Sequence, residues 1–278
     1  MENQNIPQKP QRPIDALKSI LKAPSVEEQF QNTLKENSGA FIASIIDLFN
    51  GDHYLQECEP KQVVMEALKA ATLKLPINKA LGFAYLVPYK SKNGMFATCQ
   101  IGYKGYIQLA MRTGKYRIIN ADLVYEGELR TVDKLTGMID FSGKRQSDEV
   151  VGYFAHIEMV NGFAKTLYMT KEEITSHAKK YSKSYGYSSS AWQTEFDAMA
   201  KKTVIRNLLS HYGYLSVEMV GAIDEDIRAD TAYRDQDVRE HTGKKTFDIE
   251  KVEFEEVSGD NGGDDQEPAE STEDDPGF

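Results

Sequence analysis

Residues 82–101 place the tightest constraint on the fold. The runs GFAYLVPY (82–89) and GMFATCQI (94–101) are rich in β-branched and aromatic residues. They are joined by Lys90-Ser-Lys-Asn-Gly94, whose Asn-Gly pair suits the positive φ angles of a hairpin turn. The chain then passes directly into QIGYKGYIQLAMRTGKYR (100–117). At about 100° per residue, Tyr103, Tyr106, Ile107, Ala110 and Met111 fill one wide arc of a helix, and Leu109 extends it. Lys104, Gln108 and Arg112 remain as a narrow stripe with Gly105 beside it. A helix with so little polar surface is mostly covered, so its two cations form either a thin solvated edge or the lining of a groove.

The flanking patterns are helical before the hairpin and mixed after it. Ile14, Leu17, Ile20 and Leu21 have helical spacing, and Ser25-Val-Glu-Glu28 reads as a capping box opening a helix to about residue 35. Further helices are expected at 40–50 and 60–73, the second begun by Pro60. Strands are expected at 116–126 and 136–142, then in VVGYFAHIEMV and FAKTLYMT around a turn at Asn161-Gly162. Thr170-Lys-Glu-Glu173 is a second capping box. Ser190 is expected to cap one long helix reaching about Tyr212, followed by a helix over 216–229. The expected fold class is therefore α+β, an antiparallel hairpin and small sheet packed with long helices. Three regions are expected: a mobile arm and short helix over 1–24, a core over 25–230, and an acidic disordered tail over 231–278.

Charge is unevenly distributed along the chain. The formal net charge is −10, from 33 Lys and Arg against 43 Asp and Glu. Residues 246–278 hold 13 of those acids and one Lys, so residues 1–245 keep 32 basic against 30 acidic residues, a net of +2. A basic groove is thus compatible with the body despite the acidic average. The tail reads as a solubilising segment or as a tethered polyanion competing for such a groove. Cys58 and Cys99 lie in no CxxC or Cys/His cluster, which fits a reducing cytoplasm. No apolar run reaches the length of a membrane span, and the N-terminal residues lack the apolar core of a signal peptide.

Familiar catalytic motifs do not occur. Gly137 to Arg145 has one residue too many between its glycines for a phosphate loop and lacks the magnesium-holding hydroxyl. There is no HExxH, GxSxG or Rossmann pattern. Two other stretches carry the cation theme instead. In the helix after Ser190, Lys201, Lys202 and Arg206 interrupt an apolar surface, with Lys202 and Arg206 one turn apart. The segment KKYSKSYGYSSS (179–190) interleaves Lys179, Lys180 and Lys183 with Tyr181, Tyr185 and Tyr187, the composition of a surface that stacks and tracks a single strand. Pairing with nearby carboxylates, or plain solvation, is the competing reading for each.

Three ordered motifs carry a family resemblance: LPINKALGFAYLVPY (75–89), QIGYKGYIQLAMRTG (100–114), and Trp192, Phe196 and Met199 leading into KKTVIRNLL (201–209). Together they resemble the RecT family of phage single-strand annealing proteins, over about residues 30–225. The resemblance implies a cytoplasmic, ATP-independent protein that coats single-stranded DNA, anneals it to a complement and assembles into rings or filaments. It also implies a phage exonuclease as companion. Separately, the tail's ending, Glu273-Asp-Asp-Pro-Gly-Phe278, is similar to the acidic, Phe-terminated tip of bacterial single-strand-binding proteins, which makes the host single-strand-binding machinery a further expected partner. Gln100, Tyr103, Lys104, Arg112, Lys201, Lys202 and Arg206 are the expected DNA contacts, with Lys90, Lys115, Lys180 and Lys183 as further candidates. No cofactor is expected, and magnesium is expected only to tune annealing by screening phosphates. A passive single-strand-binding protein and a metal-dependent nuclease are the alternatives.

Overall fold

The computed structural model describes residues 12–91, 94–188, 190–224 and 226, the side chains of Ser91 and Lys183 excepted. The arm before residue 12, the Lys92-Asn93 part of the first turn and the acidic tail lie outside them. Within the described residues the chain is α+β. Its first part is helical: α1 (Pro13–Leu21), α2 (Pro24–Leu34), α3 (Ser38–Gly51), the single turn α4 (His53–Gln56) and α5 (Pro60–Thr72). Helices α1, α2 and α5 each begin at a proline, whose fixed φ and missing N–H suit a first turn. For α2 this replaces the expected capping box. The helix starts at Pro24, so Ser25 already lies inside the first turn and Ala23 occupies the cap position. Helix α1 packs on α3 and α5. Its Leu17 and Leu21 are buried there, so the apolar ridge of this short helix is covered within the chain.

Strands β1 (Ala84–Ser91) and β2 (Gly94–Ile101) form the antiparallel hairpin, pairing Tyr85 with Gln100, Val87 with Thr98 and Tyr89 with Phe96. Ala84, Leu86, Ala97 and Ile101 are buried, while Tyr85, Val87, Tyr89, Phe96, Thr98 and Gln100 form the half-buried opposite face. The outer edge of β2 is closed by α5 side chains. The Ala97 amide donates to Gln62 Oε1 (3.2 Å) and the Cys99 amide to Glu66 Oε2 (2.8 Å). Unpaired edge groups are thereby satisfied and the hairpin is fixed against α5.

Helix α6 (Tyr103–Arg112) follows at once, and two glycines let it sit against the start of β1. A Cβ on Gly102 would strike the Gly82 carbonyl oxygen, and one on Gly105 the Phe83 carbonyl oxygen. Gly105 is thus a point of close approach rather than part of a solvated edge. Met111, placed by its spacing in the apolar arc, is exposed because the helix buries mainly Tyr106, Leu109 and Ala110.

The second sheet has the order β3-β6-β7, all antiparallel, from β3 (Tyr116–Tyr125), β6 (Val150–Met159) and β7 (Ala164–Thr170). The intervening β4 (Thr131–Val132) and β5 (Ile139–Asp140) pair only with each other, so the strand expected over 136–142 shrinks to two residues. Tyr153, Ala155 and Ile157 of β6 are buried. Gly162 takes φ +86° in the β6–β7 turn, as an Asn-Gly turn requires.

Helix α7 (Lys171–Tyr181) opens with the full Thr170/Glu173 capping box. Residues 182–188 and Ser190 are tied down, with a 3-10 turn at Lys183–Gly186 and a hydroxyl chain from Ser182 through Ser184 to Ser190. The expected single helix after Ser190 is two, α8 (Ala191–Thr194) and α9 (Phe196–Tyr212), because Glu195 at φ −138° and ψ 49° breaks the turn between them. Helix α9 packs on α6 and on β3, β6 and β7, burying Ala200, Val204, Ile205, Leu208 and Leu209. A further helical segment, 217–224, turns Met219, Ala222 and Ile223 inward; of the helix expected over 216–229, residues 225 and 227–229 lie outside the described residues. One apolar cluster runs from Leu17 to Ile223.

Candidate nucleic-acid interface

The hairpin, the segment after α7 and one face of α9 together border a cleft of about 580 Å³. One wall is the hairpin, with Val87, Tyr89, Lys90, Thr98 and Gln100. The opposite wall is the end of α7 and the segment after it, with Tyr181, Ser184, Tyr187 and Trp192. The floor is α9, through Met199, Lys202, Thr203 and Arg206, with Asp226 beside them. Each wall presents aromatic surface. Tyr89 stacks with Phe96 at 5.8 Å between ring centroids, and Trp192 is held edge-on to Phe196 at 5.7 Å. Tyr187 is 68% exposed, so its ring is open to a ligand.

The floor is charged although it is almost covered. Lys202 and Arg206 each keep 9% of their surface exposed, and Asp226 keeps 5%. Lys202 Nζ lies 2.9 Å and Arg206 Nη1 3.8 Å from Asp226 Oδ2. The Tyr106 hydroxyl donates to the same oxygen at 2.5 Å. Lys202, Arg206 and the Tyr106 hydroxyl thus converge on one carboxylate oxygen at the bottom of an aromatic-walled cleft. A donor set of this kind suits an oxyanion, here the Asp226 carboxylate, because charge-assisted hydrogen bonds from several donors hold a carboxylate or phosphate oxygen strongly.

The expected contact residues divide between three places. Gln100, Lys90, Lys202 and Arg206 line the cleft, and Gln100 Nε2 donates to the Tyr89 hydroxyl at 2.5 Å. Lys180 stands at the rim, 5.1 Å from the centroid of the Tyr181 ring that lines it. Tyr103 and Lys201 pair with each other, Lys201 Nζ lying 5.1 Å over the ring and 3.7 Å from Asp122. Lys104 is exposed close by Gly82, where Tyr85 also comes. Burial, then Glu195 and Tyr103, raises the Tyr85 phenol above its ordinary value.

Arg112 and Lys115 are placed elsewhere. Arg112 donates to the Leu73 and Lys74 carbonyl oxygens at 2.6 and 2.8 Å, closing the C-terminal end of α5. Of the stripe drawn through Lys104 and Arg112, Lys104 is exposed near Gly82 and Arg112 is held on the end of α5. Lys115 lies 5.7 Å from the Tyr214 ring centroid, at the start of β3. The side chain of Lys183 is outside the described residues.

Sequence reasoning missed Asp226, although a signal for it exists. Met219, Ala222 and Ile223 follow helical spacing, and the next inward position of that series is 226, where an acid stands in place of an apolar residue. Tyr54 also lines the cleft without any pattern pointing to it. Among the described residues, no group of three or more His, Cys, Asp or Glu is placed to hold a metal ion, and no helix is long and apolar enough to cross a membrane.

Comparison with known proteins gives the same direction. Protein YqaK of Bacillus subtilis (strain 168) is 47% identical over 212 residues, covering 76% of this chain and 72% of that protein. Protein RecT of Escherichia coli (strain K12) is 29% identical over 219 residues, covering 75% of this chain and 79% of its own length. The RecT family pattern matches residues 39–244, which include the hairpin, both sheets and the α9 floor. The chain belongs to the RecT family, whose proteins bind single-stranded DNA and anneal it in recombination.

Proposed function

We propose that this chain holds one DNA strand along the cleft between the hairpin and the 182–192 wall and offers its bases to a complement without using ATP. The observation that carries the reading is the buried pair Lys202 and Arg206 beneath aromatic walls. Two complementary strands repel through their phosphates, and neutralising one backbone removes much of that barrier. Contacts to backbone and ring stacking give binding that tolerates any sequence. Lys90, Lys180, Lys202 and Arg206 take phosphates in this reading, while Tyr89, Tyr181 and Tyr187 take base faces. Lys104 and Lys201, with Tyr103, form a second basic spot beside Tyr85, where the strand leaves the cleft toward a neighbouring subunit.

A cleft of this volume holds only a few nucleotides, so annealing of longer strands needs subunits in series, as a ring or filament. An exonuclease supplying the strand, and a host single-strand-binding protein displaced from it, complete the proposed setting in the cytoplasm of a phage's host. Magnesium enters as a screening ion only. Binding of a labelled oligothymidylate, followed by anisotropy, tests the cleft. Replacing the exposed Tyr187 by Ala removes one stacking face and is expected to weaken binding about tenfold with no change in melting temperature. Unchanged affinity would remove the strand from this wall.

A further inference from the structure

The floor of the cleft is already occupied by an anion of the chain itself. Asp226 Oδ2 receives Lys202 Nζ at 2.9 Å, the Tyr106 hydroxyl at 2.5 Å and, more distantly, Arg206 Nη1 at 3.8 Å. That donor set, two cations and a phenol converging on one oxygen, is what a phosphodiester oxyanion would ask for. The carboxylate lies just past the helical segment 217–224, and it borders the cleft rather than being sealed behind it.

Stability alone does not account for the arrangement. Met219, Ala222 and Ile223 anchor the segment by apolar burial, and an apolar residue at 226 would continue that face. A buried ion pair is commonly no more stabilising than apolar side chains of similar volume. What a carboxylate does supply is a common acceptor for Lys202, Arg206 and the Tyr106 hydroxyl while the cleft is empty.

We infer that Asp226 is an internal stand-in for a DNA phosphate: strand entry exchanges its carboxylate for a phosphate on Lys202, Arg206 and Tyr106, and the helical segment 217–224 that leads to it loosens. The inference rests on the cleft being the strand site. It adds a phosphate position, with Tyr106 as a neutral donor within it, and makes binding a competition. Apparent affinity is then the intrinsic affinity reduced by the fraction of molecules with the position open.

The test uses the full chain and a labelled oligothymidylate at low salt. Asp226→Asn keeps the side-chain size and removes the competing charge, so it is expected to bind about tenfold more tightly if the closed form is about 90% populated, with a lower melting temperature in the absence of DNA. Equal or weaker binding by a folded variant would overturn the inference. Hydrogen exchange of the unaltered protein decides independently, including where the variant does not fold. Amides of residues 219–224 are expected to exchange faster with the oligonucleotide present, and unchanged or slower exchange there would overturn the exchange of anions. If the unaltered protein does not bind the oligonucleotide, the cleft reading itself falls and this inference with it. If that protein binds and only the Asp226 results fail, the cleft reading stands.

Discussion

Cations that look alike along the sequence have unlike environments, and their substitutions separate accordingly. Arg112 spends its guanidinium on the Leu73 and Lys74 carbonyls. Arg112→Ala is expected to lower stability by about 1 kcal/mol, the ordinary net worth of such hydrogen bonds at an exposed site, while leaving the salt dependence of DNA binding unchanged. Lys104 has an exposed side chain, so Lys104→Ala is expected to leave the melting temperature alone and to reduce the salt slope of binding by about one unit. Thermal melts and a salt series on the same two proteins check both statements. A reduced slope for Arg112→Ala with an unaltered melt would reverse the assignment. Arg206 differs again, since its neighbours are apolar and its charge faces Asp226. Truncating it removes packing and strands part of a buried charge cluster, so affinity and stability fall together.

At the scale of elements, the parts that the sequence disclosed were those governed by local chemistry. The hairpin, the Thr170 capping box and the Gly162 turn follow from alternation, a hydroxyl with a carboxylate three residues on, and an Asn-Gly pair. The break at Glu195 had no such mark, because nothing in Gln193, Thr194 or Glu195 forbids a helix. At the break Trp192 packs on Tyr185 and Phe196, and Phe196 on Tyr153, a contact too distant in sequence for a local pattern to announce. The cleft was half legible for the same reason. Lys202 and Arg206 share a face by spacing alone, whereas their partner Asp226 and the diversion of Arg112 to α5 depend on contacts distant in sequence. Gly105 tests how α6 is seated: Gly105→Ala forces a methyl group onto the Phe83 carbonyl and is expected to cost about 3 kcal/mol, read as a lowered denaturation midpoint. A neutral substitution would mean that α6 is free to shift away from the hairpin.

The central sheet carries a pH dependence of its own. His156 on β6 lies 2.8 Å from Thr166 Oγ1, and burial lowers its pKa below the ordinary value. A lowered folded-state value means that the unfolded chain takes up the proton first. The stability contributed is therefore whole above the unfolded pKa of about 6.5 and is lost as pH falls through the folded one. Melting temperature is expected to drop between pH 7 and pH 5 more steeply in the unaltered protein than in His156→Gln. Parallel pH profiles would contradict this.

Across the whole molecule, one apolar cluster joins the N-terminal helices, the hairpin, the sheet and α9. The cleft is thus held by three elements that share a core: α5 fixes the hairpin, the sheet supports α9, and α7 leads into the far wall. Deleting α1 removes Leu17 and Leu21 from that core and is expected to destabilise the body directly, beyond any effect on assembly. The most direct measurement is the rate at which two complementary oligonucleotides, each carrying one dye of an energy-transfer pair, anneal without nucleotide triphosphate. The unaltered protein is expected to raise that rate well above the protein-free value, and a Lys90→Ala, Tyr187→Ala double variant, altered only at exposed positions of the two cleft walls, is expected to return most of the way to it. Slower annealing with the unaltered protein than without it, or a double variant as fast as the unaltered protein, would contradict annealing through this cleft.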